Sequence, residues 1–252
     1  PPAVYATYWL AEALLGYGPH AVFALALAAA LATLGGLYRA GAAFDGPGAG
    51  LWVAAFWTIV SGDVWLQANQ PNTEVFVNAC LAWAFALLVG TRADAGAGRF
   101  LAVGALIAGG SLYKQVIVAP ALLLALAHVA VPPEGRSRAR AAADVALIAA
   151  PGAVAWVAVS GYFAAVGHFA EFYEAVFAYN RFYARRMPTF VARAFNLPRL
   201  VTDPYLQALV PLGALSLVGA LAGWPWRPRR PWALLAALVL ATPVAVGQHG
   251  QF

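Results

Sequence analysis

Long apolar runs, broken by short polar or glycine-rich stretches, recur along the whole chain. Runs of this kind predict membrane-crossing helices, which need about 20 apolar residues each. Residues 1–19 hold Tyr5, Tyr8, Trp9 and Tyr17 around a short apolar pattern, with Glu12 the only charge. That composition predicts an interfacial helix in an aromatic belt. Spans are then predicted at 20–38, at 51–65 after Arg39 and a glycine-rich loop reaching residue 50, and at 74–90. The stretch 100–131 would make a helix of ~48 Å, too long for a ~30 Å hydrocarbon core. Two short helices meeting near 111–115 solve this. They also put the loop of Arg92, Asp94 and Arg99 and the loop of Arg136, Arg138 and Arg140 on one side. Further spans are predicted at 142–166, bent at Pro151 and Gly152, and at 205–223 and 231–247, the last two enclosing Arg227, Arg229 and Arg230. The result is one all-α polytopic membrane domain over 1–252 with about eight transmembrane helices, plus interfacial helices on its outer face.

Charge orients the bundle. Nine arginines fall in four short loops on one side, and short loops rich in arginine face the cytoplasm. The opposite side receives Lys114, the segment 167–204 with Arg181, Arg185, Arg186, Arg193 and Arg199, and the polar stretch between the second and third spans. That stretch gathers Asp63, Gln67, Asn69, Gln70, Asn72 and Glu74 at one mouth of a helix pair. Pro71 ends the preceding element and biases Gln70 toward extended backbone. Asn72 or Thr73 can then cap a helix in which Glu74 occupies the first turn. Polar side chains kept at such a place mark a functional site. The plainer alternative is that Glu74 complements the helix dipole and the amides line an interface loop.

Composition fixes the class. Hydrophobic residues make up 63% of the chain and charged residues 10%, against about 25% charged in soluble domains; mean hydropathy is +0.73. The net charge of +5 comes from fourteen arginines and one lysine in loops, not from a basic stripe, so no nucleic-acid partner is expected. A lone Cys80 excludes a disulfide framework and a cysteine zinc site within the chain. His20, His128, His168 and His249 show no metal-ligand spacing, so no zinc site is expected. The chain opens at Pro1 without a basic-then-apolar leader and reads as a piece of a longer protein.

In 167–204, Phe169, Phe172, Tyr173, Val176, Phe177 and Tyr183 recur near helical spacing between Glu171, Glu174, Arg181, Arg185 and Arg186. This predicts an amphipathic helix on the membrane surface. Its arginines are either snorkelling anchors or, beside Lys114, a clamp for a phosphate at headgroup depth.

The order of these features resembles the membrane-integral GT-C glycosyltransferases of the protein-mannosyltransferase and aminoarabinose-transferase type. PPAVYATYWLAEALLGYGPHAV is similar to the family's Pro-Pro pair leading into an aromatic helix. QANQPNTEVFVNACLAWAF resembles its second outer loop, with Glu74 at the acidic position near the sugar. FLAVGALIAGGSLYKQVIVAPALLL resembles its glycine-rich helix ending in lysine, here Lys114, and EFYEAVFAYNRFYARR its membrane-lying segment. The family's principal catalytic acid lies upstream of the Pro-Pro pair, outside this chain, and its carboxyl-terminal domain is also missing. The resemblance implies transfer of a sugar from a polyprenyl-phosphate carrier to an acceptor lipid, glycan or protein, at the outer face of a bacterial inner membrane. Glu74 would be catalytic, with Lys114, Asn72, Gln70, Asp63, Arg181, Arg185 and Arg186 binding substrate; a divalent cation is an open cofactor. A transporter or lipid flippase with the polar cluster lining a path, and a structural membrane subunit, are the competing readings.

Overall fold

The computed structural model describes residues 2–62, 71–179, 218 and 229–246, with side chains of the last helix described to residue 241. Asp63, Gln67, Asn69, Gln70, Arg181, Arg185, Arg186, Arg193, Arg199 and the predicted span 205–223, apart from Val218, lie outside the described residues. Among the described residues the fold is entirely helical, with no strand. Helix α1 spans Pro2–Leu15, α2 Pro19–Ser61, α3 Thr73–Val89, α4 Ala97–Tyr113, α5 Val118–Ala130 and α6 Arg138–Ala165. A short α7, Phe169–Tyr173, continues into a wider turn at Glu174–Ala178, and α8 covers Arg229–Val246.

By length and composition two helical stretches are apolar enough to cross a membrane, Pro19–Ile59, which folds back on itself, and Arg138–Ala165. Their apolar faces are largely unburied; Leu31, Trp52, Val154 and Val157 all stand exposed. Water would penalise that surface by about 25 cal/mol per Å².

The first two predicted spans need correction. Instead of a glycine-rich loop over 39–50, helix continues on both sides and only Asp45 and Gly46 leave helical geometry. Gly46 has φ 81°, which glycine adopts without a Cβ penalty. Pro47 follows at the first position of the second arm, where its missing N–H costs nothing. The chain reverses there. A Cβ at Gly50 would fall 2.6 Å from the Tyr38 carbonyl oxygen, whereas twelve residues along a straight helix span ~18 Å. Thus α2 is a tight hairpin with arms 19–44 and 47–61.

The predicted break within 100–131 is present. Lys114 is extended (φ −155°, ψ 121°) between α4 and a single tight turn, Gln115–Ile117, that leads into α5. The chain then runs back, since Phe100 meets His128 edge-on at 5.5 Å between ring centres. Helix α6 begins at Arg138, capped by the Ser137 hydroxyl, which accepts from the Arg140 N–H, and it continues helically through Pro151.

Helices α2, α3, α4 and α6 pack in sequence, with α5 held between α6 and α8. Phe85, Leu88, Phe100, Val103, Leu124 and Leu234 form the core they share. Where α4 crosses α6, a Cβ at Gly104 would run into the Ile148 carbonyl, so the close approach depends on glycine. The described start of the 167–204 segment turns back along α6 rather than away from it. Phe172 stacks on Phe163 at 4.6 Å and is buried, and Phe177 meets Trp156 at 5.5 Å, while Phe169, Tyr173 and Phe177 keep much of their surface exposed.

Candidate functional site

At one end of the bundle α3 begins where α4 ends. Asn72 caps α3 with extended backbone, its Oδ1 accepting from the Val75 N–H at 3.2 Å. The helix therefore starts at Thr73, and Glu74 stands in the first turn near the positive end of the helix dipole. Across from it, the extended backbone at Lys114 turns that side chain toward α3. Lys114 Nζ lies 2.5 Å from Glu74 Oε1, a charge-assisted hydrogen bond, and Thr73 donates to Glu74 Oε2 at 2.7 Å. The pair is half-buried, with side-chain exposures of 27% for Lys114 and 36% for Glu74.

Aromatic side chains brace the pair. Phe76 and Tyr113 stack at 4.9 Å, Thr7 and Tyr113 share a hydrogen bond, and Tyr8 donates to the Pro71 carbonyl at 2.6 Å. Helix α1, predicted only as an interfacial element, is thereby tied to both α3 and α4. A cavity of about 280 Å³ opens beside the pair, walled by Thr73, Ser111, Lys114 and Gln115 on one side and Trp156 and Tyr179 on the other. The Trp156 indole N–H donates to the Ser111 hydroxyl at 2.9 Å, which fixes the ring against α4. Glu171 and Glu174 line a neighbouring opening that shares Ala175 and Tyr179. Of the predicted site residues, Glu74 and Lys114 are brought into direct contact, and Asn72 is beside them as the cap. No three His, Cys, Asp or Glu side chains among the described residues are grouped to hold a metal ion.

A second polar cluster, not anticipated from the sequence, fills the opposite end. Asp144 is 2% exposed and His128 fully buried. Arg136 binds Asp144 with both arms, Nε to Oδ2 at 2.6 Å and Nη2 to Oδ1 at 2.5 Å, and its Nη1 reaches the Ala93 and Ala95 carbonyls. Arg230 donates to Val131 O at 2.8 Å, to Leu88 O at 2.9 Å and to His128 Nδ1 at 3.1 Å. A guanidinium has no acceptor, so His128 Nδ1 accepts and its proton sits on Nε2, which donates to Asp144 at 3.0 Å. The network joins the α3–α4 loop, the α5–α6 loop, α5, α6 and α8. Together with Arg39 and Arg99, which face one shared hollow, it places Arg39, Arg99, Arg136 and Arg230 at one end, away from Glu74 and Lys114. Only an acid lying inside an apolar run, Asp144, could have betrayed the network in the sequence, since such an acid demands a partner.

No family model, curated protein or solved structure matches this chain.

Proposed function

We propose that this chain is the membrane core of a glycosyltransferase that moves a sugar from a polyprenyl-phosphate carrier to an acceptor at the outer face of the membrane. The observation that supports it best is the Glu74–Lys114 pair set beside an aromatic-walled cavity at one end of the bundle. Such a mouth suits a lipid-linked sugar. Trp156 and Tyr179 offer ring faces to a sugar, and the Lys114 ammonium has three donors, enough to keep Glu74 and also take a phosphate oxygen.

In the reaction an acceptor hydroxyl attacks the anomeric carbon and the bond from that carbon to the phosphate oxygen breaks. The electron pair leaves on the carrier phosphate, where Lys114 stabilises the growing charge, with Arg181, Arg185 and Arg186 as further cations. The acceptor's proton goes to a carboxylate. Glu74, paired with Lys114, orients sugar hydroxyls and assists the principal base that the GT-C resemblance implies. Asp63 and Gln70 complete the donor contacts in this reading. The chain then has about eight spans in a bacterial inner membrane, the arginine-rich end in the cytoplasm and the Glu74 end outside.

A transporter or lipid flippase, with the same cavity lining a path, is the competing reading, and one test separates the two. The test uses the complete protein in vesicles with a polyprenyl-phosphate sugar and an acceptor. Covalent transfer of the sugar is expected, and carrier movement across the bilayer without cleavage of the sugar–phosphate bond would overturn the proposal.

A further inference from the structure

The end of the bundle opposite Glu74 holds a second cavity, of about 350 Å³, that the sugar-transfer reading does not use. Its wall carries Arg39 from the first arm of α2 and Arg99 from the first turn of α4, with Trp83, Ala42, Ala86 and Gly90 between them. Small residues leave the floor open, so both guanidiniums border free space.

Arg99 is held in place. Its Nε and Nη2 donate to the Leu87 carbonyl at 2.9 and 2.8 Å, and Nε is also 3.2 Å from the Thr91 hydroxyl. These bonds close the C-terminus of α3, whose dipole carries about half a negative charge. Arg99 offsets that charge, and Arg39 brings a second cation to the same hollow. Arg39 is exposed, and among the described residues no carboxylate lines the cavity. Within the same end, Arg92 pairs loosely with Asp94 at 3.8 Å, and the buried Asp144 is already shared by Arg136 and His128; Asp45 in the α2 turn and Glu134 in the α5–α6 loop are further acids there, and neither lines the cavity. Two like charges facing one hollow repel each other unless an anion sits between them.

We propose that this cavity binds a phosphate anion between Arg39 and Arg99, either the headgroup of an anionic phospholipid or a free phosphate. Paired guanidiniums from separate helices match phosphate oxygens in a way that a single snorkelling arginine does not. Basic pockets between helices at the cytoplasmic surface are suited to lipid headgroups. The site is independent of the reaction assigned to Glu74 and Lys114.

Thermal unfolding of the detergent-solubilised complete protein tests it, titrated with dihexanoyl-phosphatidylglycerol, with inorganic phosphate, and with dihexanoylglycerol, which lacks the phosphate. A ligand that binds only the folded state raises the midpoint in a saturable way. Saturable stabilisation is expected from a phosphate-bearing probe and not from dihexanoylglycerol. Loss of one charge-assisted contact weakens binding about tenfold or more, so Arg39→Gln should raise the half-saturating concentration by that factor. Arg92→Gln removes the same net charge from the exposed loop and should leave the titration unchanged. Stabilisation by inorganic phosphate as strong as by the lipid identifies free phosphate as the source; stabilisation by the lipid alone identifies a headgroup. Equal titrations in the unsubstituted protein and Arg39→Gln, equal weakening by Arg92→Gln, or an equal response to dihexanoylglycerol overturns the proposal.

Discussion

Replacing Asp144 with asparagine probes how the bundle is closed at its arginine-rich end. The carboxylate receives two bonds from Arg136 and one from His128, at 2.5 to 3.0 Å, with almost no exposure to solvent. Asparagine keeps the shape but turns one acceptor into an NH₂ donor that faces donors. It also leaves the Arg136 guanidinium buried without its counter-charge. Removing one partner of a buried pair costs about 3–5 kcal/mol. At roughly 2–4 °C per kcal/mol for a chain of this size, the unfolding midpoint should fall by roughly 6–20 °C. The effect should be unequal around the cycle. Arg136→Met alone strands Asp144 and is similarly damaging, while Arg136→Met with Asp144→Leu removes both charges and should recover much of the loss. Arg92→Gln, at an exposed pair, should shift the midpoint by less than a degree or two. The assay is thermal unfolding of the purified protein in one detergent, followed by circular dichroism. An Asp144→Asn midpoint within about 2 °C of the parent would refute the reasoning and mean that water or another group reaches this end of the bundle.

The proposed membrane orientation and the cap of α3 each give one further outcome. With Cys80 replaced, single cysteines at Arg39, Arg92, Arg138 and Arg229 should resist an impermeant thiol reagent applied from outside, while those at Asn72 and Lys114 react; labelling at 138 from outside would break the eight-span topology. Asn72→Ala removes the cap of α3 and should cost about 0.5–2 kcal/mol in unfolding measurements, with Asn72→Ser recovering most of it, because Ser also caps well; an unchanged midpoint would show that the cap bond contributes nothing.

Much of this architecture is legible without coordinates, for reasons that are local or that follow from counting charges. The cap at Asn72 and the helix start at Thr73 are written in a few adjacent residues. The break at Lys114 follows because one helix over 100–131 would have put arginine loops on opposite sides, and the bonds from Arg136 to the Ala93 and Ala95 carbonyls now bring those loops together. The hairpin at Asp45 and Gly46 was blurred because glycine and alanine around a turn read as loop, yet they extend helix when the two arms pack closely. The Asp144 network was hidden for a different reason. His128, Arg136, Asp144 and Arg230 are separated by up to 102 positions, and each arginine taken alone looks like a topology signal in a solvated loop. Only tertiary packing turns them into partners. Likewise, the sequence puts Glu74 and Lys114 at one mouth, but their direct bond depends on how α3 and α4 cross.

The central claim is that Glu74 and Lys114 act on a lipid-linked sugar rather than merely joining two helices. A half-exposed ion pair contributes only ~0–1 kcal/mol to stability, so a large loss of turnover in a folded variant cannot arise from unfolding. The decisive measurement is donor binding together with single-turnover transfer of a polyprenyl-phosphate sugar by the complete protein, compared with its Glu74→Gln and Lys114→Ala variants, each verified as folded. Glu74→Gln should slow transfer ~10²- to 10⁴-fold with little change in donor binding, and Lys114→Ala should weaken donor binding as well as transfer. Transfer at the parent rate in both variants would contradict the account and leave the pair as a contact between α3 and α4.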